Sequence, residues 1–592
     1  MNEIKRHLLT NANIQEKSAL IWNIADTLRG LYKPHEYGEV ILPMTVIKRF
    51  HDTLLPTRGK VLAEVEKRKN LEVKDGFLRR ASGYTFYNTS LYTFDSLLAD
   101  ADNIEANFRA YLNGFSENVQ DVLDNFEMDT HITKLAKSGK LFQVIQEFNT
   151  AKGYMGADKI SATDMGYIFE DLVKRFSESY NEDAGAHFTS RDIIYLMTDI
   201  LLENEKVELE SEGVVKSVYD QTMGTSQMLT AMEERLKLLD RDANVSMYGQ
   251  ELNGKTFAIA KADMLIRGGN PDNMQRGNTL TEDKFTGYTF DYCISNPPFG
   301  IDWKADYAKV KAEHDKGANG RFEPGLPAKS DGQLLFMLNG LSKLKDTGRM
   351  AIIHNGSALF SGAAGSGQSE IRRYVIENDW LEAIIQLPND VFYNTGITTY
   401  IWVFAKSKDP LRQGKVQLID ASNMYEKRRK SIGTKRVDIS EACREVIVQA
   451  YGDFTNKTYT LGESFVESKV FDNEDFGFSK VVVETPERDA DGYIVMKNKN
   501  PVADTTLRDT EDIPLKEDTQ EYFEREVKPF NPDAWIDEKK TKIGYEIPFT
   551  RLFYKYVAPE STEVIAEEIK RLEEEIVKSF EQLSGKEVEV NG

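Results

Sequence analysis

With 592 residues the chain is too long for a single hydrophobic core, and at about 100–200 residues per domain it predicts three or four units. Lys and Arg number 75 against 96 Asp and Glu, a formal net charge of −21, whereas a chain that grips nucleic acid alone normally carries a basic face. Any such contact must therefore come from a local basic patch or be borrowed from a partner. Two cysteines, Cys293 and Cys443, are too few for a disulfide framework or a cysteine-based metal site, and no metal is expected. The opening MNEIKRHLLT lacks the apolar run of a secretory leader, and no apolar stretch is long enough to span a bilayer, so the expected location is cytoplasmic.

Residues 1–155 read as a helical domain. Leu20, Ile21, Ile24 and Leu28 share one helix face, with Gly30 placed to cap its end. Phe108, Leu112, Phe115, Val119, Val122 and Phe126 step by four and three, which predicts one amphipathic helix with a broad core-facing stripe. From 156 to 420 short apolar, β-branched runs alternate with helical or loop segments. The strands are VVKSVYD (214–220), FDYCIS (290–295), MAIIH (350–354), AIIQL (383–387) and YIWVFA (400–405); GQLLFMLNGLSKL (332–344) is an intervening helical or loop segment. This pattern predicts an α/β, Rossmann-like domain whose mostly parallel sheet is covered on both faces, with ligands bound beyond the carboxyl ends of the strands.

Residues 421–559 read as an irregular extension. EKRRKSIGTKR (426–436) is the densest basic run of an acidic chain, and 486–520 is a polar, proline-interrupted arm containing Pro501 and Pro514. In 560–592 the positions Ile565, Ile569, Leu572, Ile576, Phe580 and Leu583 fall on one helical stripe amid Glu and Lys. Such a short coiled-coil face suits a partner helix or the helix's own domain equally well.

The most informative tetrapeptide is Asn296-Pro297-Pro298-Phe299, at the end of the FDYCIS strand, with Asp291 upstream and Gly300 following. Two prolines forbid helix and make a rigid loop where a parallel sheet presents chemistry. The segment resembles the [N/D/S]-P-P-[Y/F/W] catalytic loop of amino-group methyltransferases. An exocyclic amine conjugated to a heteroaromatic ring is a poor nucleophile, because its lone pair is delocalised. Acceptors aimed at its two N–H bonds favour a pyramidal nitrogen; the Asn296 side-chain oxygen and the Pro297 carbonyl are suited to that work, with Pro298 holding the loop. Phe299 is placed to stack on a base drawn out of the duplex. Cytosine C5 methylation needs a thiolate beside proline, and neither Cys293 nor Cys443 follows one.

Upstream, Asp220-Gln221-Thr222-Met223-Gly224-Thr225-Ser226 resembles the methyltransferase motif D-P-x-x-G-x-G, in which a glycine turn lets the backbone approach the methionine part of the cofactor. Gln221 stands where proline is usual, and Ser226 where the second glycine is usual. Glu251, in MYGQELN, falls where a second strand should end and an acidic side chain can take both ribose hydroxyls. Asn278 occupies the place of an acidic residue near the adenine ring. AGAHFTSRD (184–192) resembles the G-x-[FY]-[TY]-[PS] segment that packs over the cofactor, with Phe188 and Thr189 as contacts. His187 reads as local structure.

Cofactor motifs preceding the catalytic loop are the order found in type I restriction-modification modification subunits. The resemblance extends to 21–43, 348–362, 387–406 and 544–556, nearly the whole chain. It implies an S-adenosylmethionine-dependent methyltransferase acting on the N6 amine of adenine in DNA. The implied partners are a specificity subunit bound through the C-terminal helix, a second copy of the chain in a two-to-one complex, and a restriction subunit. The alternatives are a protein or RNA amino-group methyltransferase, or a non-catalytic subunit that clamps DNA.

Overall fold

The fold is that of a computed structural model describing residues 17, 19–33, 36–161, 164–169, 171–172, 189–210, 213–555 and 561–584. The chain forms two compact units, 1–547 and 548–592.

The first unit opens with helices. Ile21, Ile24 and Leu28 are buried, and Gly30 turns the chain at φ +78°. The periodic stripe from Phe108 to Phe126 is buried, yet it spans two helices, not one: α2 (Ile104–Asn113) and α3 (Glu117–Asn125), which follow α1 (Tyr37–Leu54). Between them Phe115 leaves helical geometry to bridge Asn88, and Ser116 is extended at ψ 155°. The spacing of four and three runs through the break because both helices face the same core. That core continues into the next layer, where Ala258, Ile259, Ala262 and Leu265 join it.

The strands of the large sheet are β1 (Val215–Asp220), β2 (Asn244–Glu251), β3 (Met274–Arg276), β4 (Phe290–Ser295), β5 (Leu344–Asn355), β6 (Leu381–Gln386), β7 (Thr399–Ala405) and β8 (Lys415–Asp420). A hairpin, β9 (Glu426–Ile432) and β10 (Lys435–Asp438), stands apart, and β11 (Lys457–Leu461) and β12 (Ser464–Asp472) return to the sheet. The order is β3-β2-β1-β4-β5-β7-β6-β8-β12-β11. β1 pairs parallel with both β2 and β4, so the strand order reverses beside β1, where an open α/β sheet forms its binding crevice. β7 runs antiparallel between β5 and β6, and β12 antiparallel to β8, so the sheet is mixed. A fully buried strand such as YIWVFA reads the same in either direction.

The helices α4 (Arg191–Glu203), α5 (Gln227–Leu239), α6 (Gly254–Arg267), α7 (Gln333–Ser342), α8 (Gly367–Glu377) and α9 (Glu441–Asp453) belong to the same unit. The sheet does not stop at residue 420, because β11 and β12 extend its edge to Asp472. The stretch expected to be irregular contains a second, four-stranded antiparallel sheet. β13 (Gly477–Glu484) lies at its centre, paired with Asp509–Pro514, Trp535–Ile536 and Lys542–Tyr545 around Val481, Val483, Ile513 and Phe523. So small a core needs few apolar side chains, and the polarity of the segment hides its strands.

The second unit contains a helix, α10 (Thr562–Ser584). Ile565, Ile569, Leu572, Ile576 and Phe580 are exposed along it, and the Leu583 side chain lies outside the described residues. No helix among the described residues is long and apolar enough to cross a membrane.

Candidate active site

β1, β2 and β4 end side by side, and the loops that leave them enclose a cavity of about 240 Å³. Thr189, Asp220, Gly224, Thr225, Glu251, Asn278, Asn296 and Pro298 all line it. Pro297 is buried and Phe299 half-buried, and neither lines the cavity. Phe299 stands edge-on to Phe392, ring centroids 6.2 Å apart at 84°. Phe188 and His187 lie outside the described residues.

The turn after β1 is built on backbone geometry. Gly224 adopts φ +53°, and its N–H donates to Glu251 Oε2 at 3.0 Å. Glu251 Oε1 accepts from the Asn253 amide at 2.7 Å. The carboxylate is therefore pinned between two loops by two of its roughly four acceptor positions, leaving the others for hydroxyl donors. Asp220 is buried, with Oδ1 accepting from the Thr222 amide at 3.0 Å. Burial, reinforced by the nearby Glu251 charge, pushes its carboxyl up to about 8, against the opposing pull of the Thr222 amide.

Of the two departures from the glycine motif, Gln221 has a local explanation and Ser226 has none. Gln221 is buried; its amide oxygen accepts from Asn339 of α7 at 2.6 Å and its backbone carbonyl from Thr279 Oγ1 at 2.6 Å. Ser226 is also buried, does not line the cavity, and holds the left-handed conformation (φ +67°, ψ 13°) as the residue before α5. Asn278 folds its side-chain oxygen onto the Leu280 amide at 3.0 Å, so the amide nitrogen is the donor it offers to a ligand.

On the opposite wall, Asn296 Nδ2 donates to Thr189 Oγ1 at 2.8 Å, while its Oδ1 is buried with no hydrogen-bond partner among the described residues. A buried amide oxygen left unpaired costs about 1–3 kcal/mol. Ser295, the last residue of β4, shares a 2.9 Å hydroxyl contact with Thr222, which ties the catalytic-loop strand to the glycine turn. Asp291 takes no part. It accepts from Ser217 N at 2.8 Å, Ser217 Oγ at 2.6 Å and Lys345 Nζ at 2.7 Å, a strut between neighbouring strands.

Among the lining residues that sequence reasoning missed are Ile301, Asp306 and Phe336. Gly300 at φ +62° was the available signal that the chain turns after the tetrapeptide; nothing in the pattern marks Asp306 or Phe336. Cys293 is buried and burial raises its thiol far above the usual range, so it supplies no thiolate. Among the described residues no group of three or more His, Cys, Asp or Glu is placed to hold a metal.

A family model described as N-6 DNA Methylase matches residues 160–491, and one described as HsdM N-terminal domain matches 18–148. The chain is 24% identical over 541 residues to the type I restriction enzyme MjaIX methylase subunit of Methanocaldococcus jannaschii, covering 88% of this chain and 90% of that one. It is 23% identical over 477 residues to the type I restriction enzyme MpnII methylase subunit of Mycoplasma pneumoniae, covering 71% and 81%. The crystal structure of the type I restriction-modification system methyltransferase subunit from Streptococcus thermophilus has the same fold, with a TM-score of 0.60 at 23% identity over 78% of this chain and 96% of that one. The chain thus belongs to the N-6 DNA methylase family, as an adenine-specific DNA methyltransferase of the type I modification-subunit kind.

Proposed function

We propose that the cavity binds S-adenosylmethionine between the glycine turn and the N-P-P-F loop, and that Asn296 Oδ1 is the acceptor that activates the adenine N6 amine. The single observation behind this is the buried, partnerless Asn296 oxygen facing a cavity that also contains the glycine turn and Glu251. The residues fit the cofactor. Gly224 and Thr225 offer a side-chain-poor turn to the methionine part, Glu251 keeps acceptor capacity for two ribose hydroxyls, and Asn278 offers an N–H to the adenine ring. When bound, S-adenosylmethionine supplies the electrophilic methyl group.

The chain's own work is positional. Thr189 takes the Asn296 amide hydrogen, which fixes the amide's orientation and leaves the oxygen as the free end. That oxygen accepts one N6–H and the Pro297 carbonyl the other, so density builds on nitrogen along the remaining direction. The attraction grows as the nitrogen becomes cationic, which makes it a transition-state contact. Phe299 stacks on the extruded base, and Phe392 supports its ring.

In the cell the chain works in the cytoplasm with a specificity subunit that chooses the DNA site. Two copies of the chain join one specificity subunit. α10 is the segment that docks on the specificity subunit.

Asn296→Ala tests the core of this reading. Methyl transfer should fall by about 10²–10³ or more, the loss typical of one pre-aimed polar contact. Calorimetric affinity for S-adenosylmethionine should hold. An equal loss of cofactor affinity would move the catalytic group elsewhere.

A further inference from the structure

In a chain of net charge −21, residues 426–438 contain six Lys or Arg against only Glu426 and Asp438. They form the β9–β10 hairpin. Arg428 is neutralised by Asp438 at 2.5 Å, and Lys435 is buried; Lys427, Arg429, Lys430 and Arg436 are exposed.

The hairpin is seated, not loose. Its two-residue turn, Gly433–Thr434, has glycine at φ +56° in first place, a form that suits strand twist. A Cβ on Gly433 would collide with the Tyr393 carbonyl oxygen. Thr434 N donates to that oxygen at 2.9 Å, Thr434 Oγ1 to the Phe392 carbonyl at 2.9 Å, and Arg436 N to the Asp390 carbonyl at 2.8 Å. Lys435 Nζ reaches both the Val391 carbonyl at 2.9 Å and Asp192 at 2.8 Å.

One anchor touches the N-P-P-F loop and the other lies close in sequence to a residue that does. Phe392 supports the Phe299 ring, and Asp192 opens α4 three residues after Thr189, the partner of Asn296. The exposed cations are thus fixed to the two segments that hold the reacting end of the site.

We propose that the β9–β10 hairpin is a phosphate clamp, in which Lys427, Arg429, Lys430 and Arg436 grip the DNA backbone beside the nucleotide drawn into the cavity. The proposal rests on the reading that Asn296 and Phe299 act on an extruded adenine. Extrusion costs a few kcal/mol of unstacking, and phosphate contacts next to the target hold the strand in register while that cost is met. An acidic protein partner would explain the charge but not its attachment to Phe392, the ring against Phe299, and to the start of α4 beside Thr189.

The test uses the full chain assembled with its specificity subunit and a duplex carrying its site, titrated between about 50 and 200 mM salt. In the variant Lys427→Gln/Arg429→Gln/Lys430→Gln, DNA affinity should fall about tenfold or more. The slope of log K against log salt should become shallower by about 2–3, near 0.9 for each phosphate no longer neutralised. S-adenosylmethionine affinity should hold. Gly433→Val, which removes no charge but unseats the turn, should weaken DNA binding in the same direction. Wild-type affinity and slope in the triple variant would overturn the clamp while leaving adenine methylation by the parent complex intact. Loss of the specificity subunit from the triple variant, with the full chain's own salt slope on DNA unchanged, would make the hairpin a protein-docking surface and overturn it too. A parent complex that transfers no methyl group to adenine would remove the reading beneath the clamp, and the clamp with it.

Discussion

The cavity beside Asn296 and the helix Thr562–Ser584 differ from a packed interior in opposite chemical ways. In the first, the buried Asn296 oxygen has no hydrogen-bond partner among the described residues. In the second, apolar side chains at Ile565, Ile569, Leu572, Ile576 and Phe580 stand 44–61% exposed. A lone unpaired acceptor specifies a small, directional group such as an N–H. A stripe of aliphatic side chains specifies area and shape, and so another helix. In the proposed function the first serves chemistry and the second assembly. Separating them by mutation should therefore be possible.

The largest expected effect follows from that separation. Deleting 560–592 should leave a folded chain that binds S-adenosylmethionine, because the sheet ends at Asp472. A 23-residue helix with so exposed a face gains little stability alone and most from a partner. The truncated chain should fail to co-elute with the specificity subunit on size-exclusion chromatography, and site-specific methylation should disappear with the complex. A complex of normal size would assign the stripe to the chain's own fold.

Changes on the cofactor wall should be smaller and of the reverse pattern, leaving assembly untouched. Glu251→Ala removes an acceptor and also frees the Gly224 amide it pins. Gly224→Val forces a β-branched side chain into φ +53°. Each should weaken S-adenosylmethionine binding about tenfold or more, since a hydrogen bond to a charged group is worth about 1.5–3 kcal/mol. Calorimetry finding parental affinity in both would place the cofactor elsewhere.

Asp220 adds a pH dependence. Its folded value near 8 lies above the unfolded 3.8, so its contribution to stability is complete below 3.8 and is lost as pH rises toward 8. A bound sulfonium cation favours the ionised carboxylate, so binding releases a proton and should tighten as pH rises from about 6 to about 8. The gain is about tenfold per unit by which the cation lowers the carboxyl. Asp220→Asn should flatten the profile. A parental affinity independent of pH would mean that Asp220 does not sense the ligand.

Much of the architecture was legible because it rests on local rules. FDYCIS forms β4 with the same ends, and the proline pair stops it where a parallel sheet must open. Glu251 ends β2, and two residues on, the Asn253 side chain caps α6. What stayed hidden depends on neighbours distant in sequence. The direction of β7 is set by β5 and β6, the break at Phe115 by Asn88, and the small sheet around β13 by strands dozens of residues away. Asp291 stands upstream of the tetrapeptide in sequence; only its pairing with Ser217 and Lys345 identifies it as a strut. The basic run was visible, but its attachment beside Phe299 was not.

The smallest predicted effect concerns Ser226. Its left-handed backbone costs an L-residue about 1–2 kcal/mol, and its buried hydroxyl has no partner, a further penalty. Glycine removes both, while its greater freedom in the unfolded chain returns about 0.5–1 kcal/mol. Ser226→Gly should therefore stabilise the first unit by about 1 kcal/mol, read as a higher denaturant midpoint with an unchanged m-value. Because Ser226 does not line the cavity, affinity for S-adenosylmethionine should not move. The two readouts together decide what the departure from the glycine motif means. Stabilisation at constant affinity makes Ser226 a tolerated strain behind an intact binding turn. A loss of affinity would instead make its hydroxyl part of the site, turned toward the ligand once the ligand arrives.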